Sequence, residues 1–212
     1  MNQMETHYHH DQKLLEDYMT KKDIEMIQEI NRNIEAFTDE NVCRNIMKNF
    51  NNLKPGSSKK EIADFVKKMM NRLDSSVEKK TRIQIMEKCG INCAEVNKNF
   101  IKKFVDRRNK YSSINEFLES ENKKPFKGTR LEKDGNIVYH FFTPRSYTTP
   151  MRCYCSLLGG LPDDESISST YCHCSKALVK KLWETVLNKP VKVEFLGSVI
   201  AGAEECKFKI YL

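Results

Sequence analysis

Eight cysteines are spread unevenly along 212 residues, and four of them crowd into one stretch, Met151–Ser175. They form two Cys-x-Cys pairs, Cys153/Cys155 and Cys172/Cys174, with a Gly-Gly-Leu-Pro-Asp-Asp segment between them that reads as a loop. Closing that loop costs little, because closure entropy rises slowly with length. A free cysteine is often only a small buried hydrophobe. Burial alone does not readily produce two i,i+2 pairs so close together, and a shared metal or redox site does. A third pair, Cys89 and Cys93, lies at i,i+4 in Cys89-Gly90-Ile91-Asn92-Cys93. On a continuous helix both sulfurs share a face; Gly90 could instead end the helix and turn the chain. Cys43, alone beside Ile46 and Met47 in a helical pattern, reads as core.

Metal binding needs deprotonated soft ligands that converge, and four thiolates, or three and a histidine, suit tetrahedral zinc. The candidate ligands are Cys89, Cys93, Cys153, Cys155, Cys172, Cys174 and Cys206, with His173 and His140 as nitrogen donors. An iron–sulfur cluster would take the same sulfurs. Cys153 and Cys155 on a strand would leave the same side. Cys172 and Cys174 point one way if extended and diverge by about 200° if helical. Nucleophilic catalysis is the competing use: Cys172 or Cys174, at the start of a helix expected near Ser175, would have an acidified thiol there. The chain carries no nucleophile-elbow serine, phosphate loop or dinucleotide fingerprint.

Hydrophobic residues make up 39% of the chain and charged residues 31%, which supports a core inside a water-soluble protein. No run approaches the roughly 18 apolar residues of a membrane span. The first residues lack the basic start and apolar centre of a signal peptide. A cytoplasmic setting is therefore expected, where thiols stay reduced and clustered cysteines serve metal or redox chemistry. The net charge of +7 is shared by both halves. The one basic run, Lys98–Lys110, reads as the solvated face of a helix, so nucleic acid is not the expected partner. His7, His9 and His10 read as a frayed end.

The elements that must position these cysteines change character near residue 125. Residues 1–125 read as a helical region, with apolar residues at three- and four-residue spacing, as in Ile24, Ile27, Ile30 and Ile34. Pro55-Gly56 breaks the pattern, and Ser58 with Glu61 forms a capping box before Ile62, Phe65, Met69 and Leu73. Residues 126–212 read as a Cys-rich α+β domain. A hairpin turns at Asp134-Gly135, with Ile137–Phe142 as a strong strand. Met151–Leu157 reads as a further strand, a helix follows from about Ser175, and two alternating strands end the chain. The expected fold is α+β: a helical half, then an antiparallel sheet with a packed helix.

From Cys172 onward the chain resembles the 4-vinyl reductase domain superfamily. The residues that carry the resemblance are a Cys at a helix start, Pro190–Glu194, and the Gly-x3-Cys-x-Phe strand Gly202–Phe208. The resemblance implies small-molecule binding, often in sensory proteins, with zinc held by cysteines in some members. Cys172 and Cys206 fall on cysteine positions of that pattern, whereas Ser198 stands where zinc-binding members have Cys and Phe195 where they have a carboxylate. The whole chain looks like a Cys-rich bacterial family with a Cys-Gly-x2-Cys signature and double Cys-x-Cys pairs. A more distant similarity to amino-thiazoline-carboxylate hydrolase-like proteins implies an enzyme. The expected function is thus binding of a small molecule or zinc by the C-terminal cysteines, with a cysteine-dependent hydrolase or redox enzyme as the alternative.

Overall fold

A computed structural model describes residues 18–125, 128–143 and 152–212. His7, His9 and His10 lie outside them. Helices α1 (Lys21–Glu35), α2 (Glu40–Ile46), α3 (Lys59–Ser76), α4 (Lys79–Val96), α5 (Lys98–Arg108) and α6 (Ile114–Lys123) come first. A hairpin of β1 (Thr129–Asp134) and β2 (Ile137–Phe142) follows, then α7 (His173–Leu187), β3 (Lys192–Gly197) and β4 (Cys206–Tyr211). The fold is α+β, as expected. None of the described helices is long and apolar enough to cross a membrane.

The helix starts are set by side chains that satisfy orphan amides. Capping boxes open α1 (Thr20 with Asp23), α3 (Ser58 with Glu61) and α6 (Ser113 with Glu116). The four strands are antiparallel in the order β1-β2-β4-β3. β-Branched and aromatic residues fill β2, where His140 lies opposite Leu131 on one side and Phe208 on the other. The outer edge of β1 is not left open: the Asn122 side chain accepts from Leu131 N at 2.9 Å and donates to Leu131 O at 2.6 Å. An exposed edge would invite pairing with another chain.

Two apolar cores form, and each draws on both sides of residue 125. The first joins α1–α4 to Leu157, Leu158, Leu161, Ile167, Tyr171, Cys172 and Ile200. In the second, Phe104 and Phe117 from α5 and α6 meet Val179, Leu182 and Trp183 of α7 over the sheet residues Val138, Val193, Phe208 and Ile210. Trp183 Nε1 donates to His140 Nδ1 at 3.1 Å, and burial drives the His140 pKa down to about 3. His140 is thus a neutral ring stacked on Phe104 and Phe142, with Nδ1 engaged by Trp183 and Nε2 buried without a hydrogen-bond partner.

Two contacts place the cysteine-bearing segments. A Cβ at Gly90 would overlap the Cys174 carbonyl oxygen and lie 2.7 Å from Ala177 Cβ, so the bare backbone of α4 presses on the first turns of α7. Gly90 therefore lets two helices meet rather than ending one. The second contact is Asp23, buried at the start of α1. Its carboxylate accepts from Thr20 N, Thr20 Oγ1 and Lys59 Nζ, each at 2.9 Å, and from Ser156 Oγ at 2.5 Å. Burial opposes the charge, yet these bonds from Ser156, Thr20 and Lys59 prevail and hold the Asp23 pKa below its ordinary value. Nearby, a Cβ at Gly160 would overlap the Lys59 and Lys60 backbone.

The strand expected over Met151–Leu157 does not form. Met151 lies outside the described residues, Arg152–Cys155 belongs to no strand, and Ser156–Leu158 is a single 3-10 turn. The reason is anchoring by side-chain bonds, the strongest of them to a distant part of the chain, in place of a ladder. Ser156 is tied to Asp23, Cys155 N–H points at Cys153 Sγ (3.4 Å), and Arg152 Nη1 donates to Glu165 O at 2.5 Å. Cys153 and Cys155 consequently share no strand face.

Both contacts can be tested by substitution. Gly90→Ala should lower the free energy of unfolding by about 2 kcal/mol through overpacking, although Ala favours an exposed helix interior by up to roughly 1 kcal/mol over Gly. A raised urea midpoint would count against the close approach. Asp23→Ala leaves the half-buried Lys59 ammonium unpaired and removes the capping box of α1, and should cost roughly 3 kcal/mol. A carboxyl whose folded pKa is depressed stabilises the fold above its unfolded pKa and loses that contribution as pH falls through the folded value. Wild type should therefore lose stability on acidification below about pH 4 more steeply than Asp23→Ala, as read from urea midpoints across that range.

Candidate functional site

The helical half contributes Cys89 and Cys93 from successive turns of α4. Cys89 is buried, receives a hydrogen bond from Asn33 Nδ2 of α1 at 3.3 Å, and has its pKa raised by burial to about 12. Cys93 is half-buried one turn beyond Gly90, on the side where α4 meets α7. The Cys174 thiol is its strongest electrostatic neighbour, and Asn97 Nδ2 donates to Cys93 Sγ at 3.3 Å. Cys174 is the largest influence, followed by opposing burial and then by Asn97 and Lys22. Together they bring the Cys93 pKa down to about 7. The proton stays on Cys174, whose pKa lies well above the usual thiol value because of Cys93 beside it, burial, and the nearby Cys155 and Cys89.

Cys172 and Cys174 flank the start of α7, and the helical backbone turns them apart. Cys172, in the 3-10 turn Ser169–Cys172, donates its thiol to Ser198 Oγ at 3.0 Å. Burial raises its pKa to about 12, with Cys206 and Cys155 as further opposing neighbours. The helix N-terminus would favour a thiolate at either position, but burial at Cys172 and the proximity of Cys93 at Cys174 outweigh it. His173, between them, faces Glu87 (4.0 Å) and the Phe195 ring (centroids 5.7 Å apart), and burial lowers its pKa.

Cys155 lies 3.1 Å from the buried Tyr171 hydroxyl, and burial raises both groups. The charge of Cys93 opposes ionisation of Cys155. Burial raises Cys153 as well, and any charge on Cys155, Cys172 or Cys206 would oppose its ionisation further. Cys206, at the start of β4, is raised chiefly by burial. The structure thus arranges the seven expected residues as two adjoining groups. One is Cys93 with Cys174, close to Cys89 and Cys155; the other is Cys153 with Cys155, Cys172 and Cys206. Cys43 stays apart in the core, its thiol 3.5 Å from Asn31 Oδ1. All eight are free thiols. Among the described residues no group of three or more His, Cys, Asp or Glu side chains is arranged to hold a metal ion.

A model for a family of unknown function, DUF6144, matches residues 21–212. The chain belongs to that family. No curated protein and no solved structure matches it. The matched range takes in every cysteine from Cys43 to Cys206, so both thiol groups lie within the family's own domain.

Sequence reasoning named Cys93 and Cys174 but not their direct contact, and it missed Tyr171 and Ser198 as sulfur partners. The signal that could have paired the helices was Gly90, a bare position on the α4 face that carries Cys89 and Cys93. The geometry predicts an ordered reactivity. With iodoacetamide, Cys93 should label first, with a rate that rises through about pH 7, while Cys89 and Cys172 stay slow. In Cys174→Ala the Cys93 midpoint should move up toward the ordinary thiol value of about 8.5. Mass mapping of the alkylated peptides reads both, and an unmoved midpoint would exclude Cys174 as the cause.

Proposed function

We propose that the chain is a thiol-based binding protein that takes a soft metal ion, zinc foremost, or a small thiol-reactive molecule, in a sensory role. The observation that carries this reading is the meeting of Cys93 and Cys174 from separate helices, with Cys155 and Cys89 close enough to oppose further charge on the pair. Every one of these thiols except Cys93 is held neutral by burial or by its neighbours. A cation reverses that balance, because it stabilises several thiolates in one place. Cys93 and Cys174 would supply two sulfurs, Cys155 a third on leaving Tyr171, and Cys153 or Cys89 a fourth. An iron–sulfur cluster would draw on the same set and would show in the visible spectrum.

The likeness to the 4-vinyl reductase domain is supported by the second group. Cys172 meets Ser198 at 3.0 Å, and Cys206 is near enough that its charge would oppose that of Cys172. Cys172 and Cys206 fall on that superfamily's cysteine positions, which favours a small-molecule role for this end of the chain, while Ser198 and Phe195 stand where its zinc-binding members have a Cys and a carboxylate.

A second reading is favoured by one specific feature. A cysteine-dependent hydrolase or redox enzyme needs an acidified nucleophile. Cys93, with its pKa near 7, meets that need, whereas Cys172 and Cys174 do not.

Elemental analysis of protein purified without oxygen or chelator should find bound zinc near one equivalent, and the double variant Cys93→Ser/Cys174→Ser should lose most of it. Affinity should fall as pH drops below about 7, because thiolate ligands must shed protons. Undiminished zinc in the double variant would move the site to Cys153, Cys172 and Cys206; no metal in wild type would leave the enzyme reading.

A further inference from the structure

We propose that the outer face of the four-stranded sheet binds single-stranded nucleic acid, with Tyr139 and Tyr211 as stacking surfaces and Lys207 and Lys209 as phosphate contacts. None of these groups is a thiol, so the inference stands apart from the binding site proposed above.

Side chains alternate across a sheet, and the register sorts them. One face sends Val138, Val193, Phe208 and Ile210 into the core beneath α5, α6 and α7. On the other, the two central strands β2 and β4 carry Ile137, Tyr139, Phe141, Lys207, Lys209 and Tyr211. Lys207 lies opposite Phe141, Lys209 opposite Tyr139, and Tyr211 opposite Ile137. Among the described residues, Tyr139, Phe141 and Tyr211 belong to neither apolar core, although aromatic rings are among the largest apolar surfaces a chain has to bury. Tyr139 and Tyr211 are half-buried.

The charges around these rings are sorted by sign. Lys207 Nζ lies over the Tyr139 ring at 4.7 Å, and Lys209 Nζ over Tyr211 at 4.9 Å. Neither central strand contains a carboxylate. The carboxylates stand on the edge strands, where Glu132 pairs with Arg130 and Glu194 with Lys192. The middle of the face is therefore aromatic and positive, which complements a ligand of flat rings joined by phosphates. The Arg130 guanidinium, 3.7 Å above the Phe141 ring, adds a further plane on which a base can stack. Bases in a duplex stack on one another, so the strand must be single. Stacking on a ring is worth more than the exposed cation–π contact it displaces, and the displaced ammonium gains a phosphate. An acidic peptide would use the lysines and leave the rings idle. The basic run Lys98–Lys110 takes no part, because α5 packs under the opposite face.

Fluorescence anisotropy of labelled oligo(dT) and oligo(U) with the full-length chain tests this. Binding of either supports the proposal, and the tighter one names the polymer. The logarithm of affinity should fall with that of salt by about 0.7 per phosphate engaged, hence by about 1.4 for the two lysines. Tyr139→Ala and Tyr211→Ala should each weaken binding about tenfold with the slope unchanged, and Lys207→Gln with Lys209→Gln should flatten the slope. No binding at low salt, or polyglutamate binding as tightly as the oligonucleotides, would overturn the proposal. Ultraviolet cross-linking of wild type to oligo(dT), with peptide mass mapping, decides even if a variant fails to fold. Cross-links should fall in β2 and β4; cross-links confined to Lys98–Lys110 would overturn it.

Discussion

Two helices pack only as closely as the side chains between them permit, and interaxial distances of about 8–10 Å are usual. At Gly90 there is no side chain, and the α4 backbone rests on the Cys174 carbonyl and Ala177. Much else in the molecule follows from that contact. It brings a cysteine of the helical half against one of the C-terminal half, though they are far apart in sequence. It also joins the two cores, since α4 gives Cys89 to the first and Ala94 to the second. Gly in a helix interior costs stability on its own, so this glycine is tolerated for what it allows α7 to approach.

The second constraint is electrostatic. Burial disfavours each thiolate separately, and every thiolate that forms opposes the next. The cluster resolves this with one charge at Cys93, supported by the Cys174 thiol, by a hydrogen bond from Asn97 and by Lys22. Cys155, Cys89 and Cys174 then stay protonated. Asp23 contributes at a distance: by fixing Ser156 it fixes the chain directly after Cys155, and so decides which wall of the cluster Cys155 occupies. Here the link from sequence to chemistry runs through a helix cap.

Local signals made much of the fold legible. The Ser58/Glu61 capping box, the Asp134-Gly135 turn and the alternation in β2, β3 and β4 each concern residues a few positions apart, and each appears where its own physics puts it. Arg152–Cys155 shows the limit. Its alternation resembles a strand, but Asp23 and Glu165 anchor it from elsewhere in the chain, and tertiary bonds override a weak β preference. The thiol set was legible in kind, because paired cysteines announce themselves by spacing. The Cys93–Cys174 contact was not, because it depends on how α4 and α7 pack, and only Gly90 hinted at that. Cys172 and Cys174 diverge because helical geometry has already begun at Cys172, a boundary that periodicity places only to within a residue or two.

A thiol pair that carries one charge in a buried setting can be relieved in two ways, and they exclude each other. A bound cation neutralises the thiolates and engages their lone pairs, which slows attack on any disulfide. Oxidation consumes the same lone pairs in a covalent bond and leaves Cys155 and Cys89 without the two sulfurs they would need to complete a four-ligand site. On the proposed reading the pair would respond to metal supply, because a bound cation would engage the lone pairs that oxidation or alkylation otherwise consumes. The absence of a side chain at Gly90 is what lets α4 rest on the start of α7 and so brings Cys93 and Cys174 near each other.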